Sequence, residues 1–231
     1  MLSPRLLAIT EMIIKGEVTA DIGADHGALC RRLVENNMVP RVIASEMGDG
    51  PYQRLQACLK DSPCRGRIEV RQGDGLTVLE PGEAVNVVVA GLGGEVMAEI
   101  LARDWQKAET FQRFVFQPMT RPGALRKELC QRGWPIVEER LIEENSHLYL
   151  ALSTCPGSTP YKLSPLEIDV GPLLLRGEDV NRLRYLQAYL RKYQVASQGI
   201  VKAKDIKELA VLGAYKNKIR ELEDILSGGK S

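Results

Sequence analysis

The chain's 231 residues suffice for one sizeable domain plus an appendage, since single domains usually run to about 100–200 residues. With 44% hydrophobic residues and no uninterrupted apolar run of about 18, no helix is expected to cross a membrane. Five scattered cysteines, with no Cys-x-x-Cys pair, argue against a disulfide framework and a metal site, and the start of the chain lacks a secretory pattern, so a cytoplasmic protein with reduced thiols is expected. The net charge of +1 hides an asymmetry: residues 1–175 carry 19 Lys and Arg against 23 Asp and Glu, whereas residues 176–231 carry 12 against 7. The two parts therefore suit different partners, the second a polyanion.

Residues 3–14 predict a short amphipathic helix, with Ser3 as N-cap, Pro4 in the first turn, and Leu6, Ile9 and Ile13 at helical spacing. An apolar strand, 18–22, then enters Gly23-Ala24-Asp25-His26-Gly27 and leaves through a helix over 28–36. Glycine lets a backbone approach a ligand closely, and the N–H groups of the following helix point at the same place. The turn is not a phosphate loop: it has neither a Gly-Lys-Ser/Thr ending nor Gly-x-Gly-x-x-Gly spacing. Asp21 and Asp25 stand where a pyrophosphate would lie, so the walls suit a cationic ligand, and S-adenosyl-L-methionine, with its sulfonium and ammonium groups, is one.

A second strand, 41–46, ends in Glu46, placed to accept hydrogen bonds from the vicinal hydroxyls of a ribose. Asp49-Gly50-Pro51 predicts a turn into a helix over 52–59, and the alternation at 67–71 predicts a third strand running into Gly73-Asp74-Gly75. Small residues there leave room for a flat base, with Asp74 accepting from its amino group. The apolar, β-branched run 84–90 reads as a central parallel strand, followed by Gly91-Leu92-Gly93-Gly94 and a helix over 95–102. Loops 23–27 and 91–94 are expected to face each other across a crevice at the carboxyl ends of the strands. A fifth strand (111–116) ends at Gln117-Pro118-Met119, a helix spans 121–132, and strands 135–142 and 146–153 form an antiparallel hairpin.

Residues 154–176 read as a proline- and glycine-rich connection. Beyond it, Leu183, Leu186, Leu190 and Tyr193, then Leu212, Tyr215, Ile219, Leu222 and Leu226, recur at steps of 3 and 4, which predicts two helices with a narrow apolar seam and a break at 196–203. The last five residues are expected to fray. Lysines and arginines on these helices, among them Arg182, Arg184, Arg191, Lys192, Lys202, Lys204, Lys207, Lys216 and Lys218, form a pool for phosphate contacts.

In this order, Asp21-Ile-Gly23-Ala-Asp25-His26, Glu46 with Asp49-Gly50-Pro51, Gly73-Asp74-Gly75, Ala90-Gly91-Leu92-Gly93-Gly94, and Gln117-Pro118-Met119 followed by Leu125-Arg126 resemble the TrmK family of bacterial tRNA adenine-N1 methyltransferases over nearly the whole chain. The resemblance implies a class I Rossmann-like methyltransferase domain, a seven-stranded and mostly parallel α/β sheet over 1–160, then a linker and a coiled-coil-like, basic helical hairpin over 161–231. It implies S-adenosyl-L-methionine as methyl donor and N1 of adenosine 22 in the tRNA D-arm as acceptor, in a monomer or weak homodimer without metal. The expected site is then Asp25 and His26 at the transfer centre; Asp21, Gly23, Asp25, Glu46, Asp74, Gly91, Gly93 and Gly94 around the cofactor; and Gln117, Pro118, Arg126, Arg184, Arg191 and Lys192 on the substrate side. Two positions depart from the family pattern, Gly27 and the stretch His147-Leu148-Tyr149-Leu150.

Three other readings share parts of this pattern. A small-molecule methyltransferase has no need of a basic hairpin. A nicotinamide oxidoreductase requires a Gly-x-Gly-x-x-Gly turn that Asp25 obstructs. A non-catalytic RNA-binding module with a vestigial fold stays open from sequence alone, but Glu46 and Asp74 at the strand ends count against it.

Overall fold

The computed structural model describes residues 2–200 and 206–228. The chain divides into two compact units, Met1–Lys162 and Leu163–Ser231.

In the first unit, α1 (Pro4–Met12) is capped by Ser3, whose hydroxyl accepts from the Leu6 N–H. The strands are β1 (Thr19–Ile22), β2 (Val42–Glu46), β3 (Ile68–Gln72), β4 (Asn86–Ala90), β5 (Arg113–Gln117), β6 (Ile136–Glu144) and β7 (His147–Thr154). Between them run α2 (Ala28–Glu35), α3 (Asp49–Lys60), α4 (Gly94–Arg103), the single turn α5 (Trp105–Ala108) and α6 (Pro122–Arg132). The sheet order is β3-β2-β1-β4-β5-β7-β6, parallel from β3 to β5, with β7 antiparallel to both neighbours. Helix α3 begins at Asp49, three residues before the predicted start. Pro51 falls in its first turn, where a missing N–H costs nothing.

Alternation along the central strands feeds two cores, one per face. Ala20, Ile22, Val87 and Val89 pack with Met97, Leu101, Leu125 and Trp134 on one side; Val42, Ala44 and Val88 pack with Ile9, Leu33 and Leu55 on the other. Both faces are thus covered, as a near-continuous apolar strand requires. A buried carboxamide locks α1 to the sheet: Asn86 accepts from the Ile14 N–H at 2.8 Å and donates to the Ile14 carbonyl at 2.9 Å.

In the second unit, the stretch read as a connection holds two short helices, α7 (Pro165–Val170), with a Ser164–Glu167 capping box, and α8 (Pro172–Arg176). Prolines at the first turns start these helices; in a composition reading the same residues signal a loop. Helices α9 (Arg182–Ile200) and α10 (Ile206–Leu226) follow, and α9 continues through 196–200, where a break was predicted. Leu166, Val170, Leu186, Tyr193 and Leu222 form the core of this unit, and Leu183, assigned to the seam by its spacing, is instead exposed. Tyr185 and Tyr189 join the core in its place.

Candidate active site

The sheet order reverses between β1 and β4, whose carboxyl ends lie side by side because Ile22 pairs with Val89. The loops leaving these two strands border one cleft of about 460 Å3, lined by Arg5, Leu6, Asp21, Gly23, Asp25, His26, Glu46, Ala90, Gly91 and Leu92 among others. Gly23 and Gly91 are left-handed, with φ of 76° and 82°, and a Cβ built on either meets no atom within 4 Å. At the cleft, glycine serves the backbone conformation and keeps side chains out of the ligand space. Gly27 has a different reason: it caps α2 at φ 67°, and a Cβ there would come 3.0 Å from Leu59 Cδ2. Packing against α3 thus accounts for one of the two departures from the family pattern.

The acids of the cleft differ in state. Asp21, only 3% exposed, accepts a hydrogen bond from Cys30 Sγ at 3.1 Å. Burial pushes its carboxyl up to about 6; the Cys30 bond offsets part of that shift, and the Glu46 charge adds to it. The Cys30 thiol is itself driven well above its usual range by burial and by Asp21. Asp25 is exposed and left-handed at φ 53°, and its N–H donates to Glu46 Oε1 at 2.6 Å. That bond fixes the loop against the end of β2. A carboxylate offers about four lone-pair sites, so Glu46 keeps capacity for further donors. His26 lies with Nε2 3.5 Å from Asp25 Oδ1 and Nδ1 3.5 Å from Cys58 Sγ.

Arg5 is a cleft residue that the sequence reading missed. Its backbone N–H donates to Glu144, its guanidinium donates to Gln117 Oε1 at 2.8 Å and lies over the Tyr149 ring at 5.4 Å, and its buried Nε has no partner. The residues holding it are more than a hundred positions away, so no local pattern marks it. A cation facing acidic walls suits a zwitterionic ligand: Asp21 and Asp25 complement sulfonium and ammonium groups, Arg5 a carboxylate, and Glu46 a pair of hydroxyls. The side chains present therefore fit S-adenosyl-L-methionine.

Other predicted site residues stand elsewhere. Asp74 is at the end of β3, outside the cleft lining, with its carboxylate paired to Arg103 of α4. Gly93 bridges to Thr120, and a Cβ on Gly94 would meet the Arg121 carbonyl oxygen at 2.3 Å, so Gly94 is required by the close approach of two loops. Gln117 and Pro118 are buried, the first spent on holding Arg5. Arg126 is a correction: it is fully buried and ion-paired with Glu139 at 2.7 Å, so it holds α6 to β6 and presents nothing to a substrate. On α9, Arg184, Arg191 and Lys192 are exposed. Two of the pooled cations are committed inside their unit: Lys218 donates to Asp169 at 2.6 Å, and Arg182 donates to the Leu174 and Leu175 carbonyls. Lys202, Lys204 and residues 229–231 lie outside the described residues, as does the Lys207 side chain.

A switch-point cleft with acidic walls on a sheet whose reversed β7 lies between β5 and β6 is the arrangement of a Rossmann-like methyltransferase, and residues 2–152 match the Methyltransferase domain family. The chain belongs, more narrowly, to the tRNA (adenine(22)-N(1))-methyltransferase (TrmK) family: it is 31% identical over 227 residues to the Bacillus subtilis enzyme of that name, covering 96% of this chain and 93% of that one. The crystal structure of B. subtilis TrmK superimposes with a TM-score of 0.88 at 29% identity, covering 98% of this chain and 99% of that chain. A Streptococcus pneumoniae protein crystallised in complex with S-adenosyl-L-methionine gives a TM-score of 0.84 at 27% identity, covering 98% and 100%. The chain is a methyltransferase dependent on S-adenosyl-L-methionine. No described helix is long and apolar enough to cross a membrane, and among the described residues no group of three or more His, Cys, Asp or Glu is placed to hold a metal ion.

Proposed function

We propose that this chain methylates N1 of adenosine 22 in the D-arm of bacterial tRNA, in the cytoplasm, as a monomer or weak homodimer. The observation that carries the reading is the cleft, acidic on two sides and cationic on a third, in a chain of this family. When bound, S-adenosyl-L-methionine supplies an electrophilic methyl group. Adenine N1 already has a lone pair, so the residues around it need not generate a nucleophile; alignment and exclusion of water suffice. Asp25 faces the cationic part of the donor from its exposed, left-handed position, and Asp21 supports it from beneath. Glu46 takes the ribose hydroxyls while holding the Asp25 amide, which couples cofactor seating to the loop conformation. N1 lies on the pairing edge, so the base must leave its stack to reach the mouth of the cleft. His26, exposed among the cleft residues, is the side chain we assign to contact that base, a role its exposure supports. Arg184, Arg191 and Lys192 neutralise backbone phosphates and position the duplex without reading it.

The test is transfer of labelled methyl to an unmodified bacterial tRNA and to the same tRNA with adenosine 22 changed to guanosine. Label in the first and none in the second is expected. Equal label in both overturns the position; label in neither, with calorimetry showing donor binding, overturns the acceptor.

A further inference from the structure

Cys58 projects from the last turns of α3 toward the loop that borders the cofactor cleft. Its sulfur is 3.5 Å from His26 Nδ1, and His26 Nε2 is 3.5 Å from the Asp25 carboxylate. Three groups from two separate elements are thereby aligned as thiol, imidazole and carboxylate, and both His26 and Asp25 are exposed. The carboxylate favours the tautomer carrying its proton on Nε2, which leaves the Nδ1 lone pair facing the thiol. That is the arrangement by which an adjacent base turns a weakly acidic thiol into a nucleophile. The five cysteines are all free. Cys30 and Cys130 are buried, while Cys64 and Cys155 are half-buried like Cys58. Among the described contacts, Cys58 is the thiol set against an imidazole.

We propose that Cys58 is a covalent modification site for small disulfides, and that its adduct and the occupied cofactor cleft exclude each other. The thiol proton passes to His26 Nδ1, the Cys58 sulfur attacks one sulfur of the disulfide, a new S–S bond forms as the old one breaks, and the second half leaves as a thiolate. No further oxidant is consumed. The adduct occupies the space against His26, a cleft-lining residue in the loop whose Asp25 amide is tied to Glu46. Displacing the ring therefore disturbs the wall that receives the cofactor. The coupling half of this inference rests on the cofactor reading above; the reactivity half does not.

The experiment treats the full-length chain with 5,5′-dithiobis(2-nitrobenzoate) and maps the modified cysteines by peptide mass spectrometry over time. Cys58 is expected to react about tenfold faster than Cys64 and Cys155, consistent with base activation of a thiol. His26→Asn should bring Cys58 down to the rate of Cys64 while leaving Cys64 and Cys155 unchanged. That internal reference separates lost activation from a misfolded variant, in which all three rates rise. Saturating S-adenosyl-L-methionine should slow Cys58 alone in the unmutated chain. Modified protein should lose donor binding by calorimetry, whereas Cys58→Ser, treated identically, should keep it. Equal rates at the three cysteines, or a Cys58 rate indifferent to His26→Asn, overturn the reactivity. Fast modification of Cys58 without protection by the donor and without loss of donor binding overturns the coupling. Failure of the donor to bind the untreated chain would instead count against the cofactor reading.

Discussion

The sheet unit and the helical unit place charge in opposite ways. In the sheet unit, Asp21 and Glu46 sit at the ends of neighbouring strands, and the register between β1 and β2 puts both at the same edge of the sheet whatever their side chains do. In the helical unit, charges are set around two cylinders, and those turned inward are consumed: Lys218 by Asp169, Arg182 by the carbonyls closing α8. A strand end fixes where an acid goes, whereas a place on a helix leaves open whether a cation is free. Counting positive residues in the tail therefore overstates what can meet a phosphate.

Five substitutions test this contrast, beginning with the largest effect. Arg126→Leu leaves Glu139 charged and buried in the sheet unit; a loss of about 3–5 kcal/mol is expected by urea denaturation, because one member of a buried pair is stranded. A cost below about 1 kcal/mol would mean that Arg126 is not the internal strut described here. Asp21→Asn probes the buried acid. Its folded pKa of about 6 lies above the ordinary 3.8, so the folded state holds the proton more tightly. The favourable contribution is complete below the ordinary value and lost as pH rises through about 6, amounting to about 3 kcal/mol. Relative to the variant, the unliganded chain should lose about 1–1.5 kcal/mol between pH 5 and pH 7.5 in thermal melts. Donor affinity should move the other way, tightening about tenfold from pH 5 to pH 7 as Asp21 ionises. A pH-independent difference between the two proteins would contradict the buried placement.

Glu46→Ala removes the acceptor of the Asp25 amide and, in the seating proposed above, that of the ribose hydroxyls; donor affinity should fall by about 2 kcal/mol, or roughly thirtyfold, in calorimetry. Retained affinity would break the strand-end half of the contrast. The smallest effects sharpen the other half. Lys216→Met, on an exposed position of α10, should weaken tRNA binding a few-fold and reduce its salt slope by about 1. Lys218→Met, two residues on, should instead cost about 1 kcal/mol of stability and leave the salt slope unchanged. If the two variants exchange behaviours, inward and outward cations have been misassigned.

What the sequence made legible follows from the same contrast. Strand ends, the two glycine loops and the switch point were readable because period-two burial and β-branched runs mark strands, and an acid directly after one can only be at the sheet edge. The reading of Arg126 failed because a residue following a motif on a helix carries no sign of which face is buried, and its partner Glu139 lies across a strand that had no expected link to it. Leu183 was misplaced on the seam for a related reason: spacing gives a stripe, and the tyrosines Tyr185 and Tyr189 shift it. The short helices α7 and α8 were hidden because proline starts helices as readily as it ends them. Arg5 was beyond reach, since what makes it a cleft residue is supplied by Gln117, Glu144 and Tyr149.

That last arrangement governs the order in which the molecule can be assembled. Helix α1 is synthesised before the strands, yet the groups that seat its arginine, on β5 and in the β6–β7 hairpin, come 112 to 144 residues later. Asn86 on β4 can already hold the end of α1, but until that hairpin has added to the sheet Arg5 lacks its seat, and the third wall of the cleft is missing even if β1, β2 and their loop have formed. Closing so long a loop is slow relative to making the local turns. A chain emerging from the ribosome thus passes most of its synthesis with its acids in place and its cation unplaced. It can become competent to hold a zwitterion only once the methyltransferase sheet is complete.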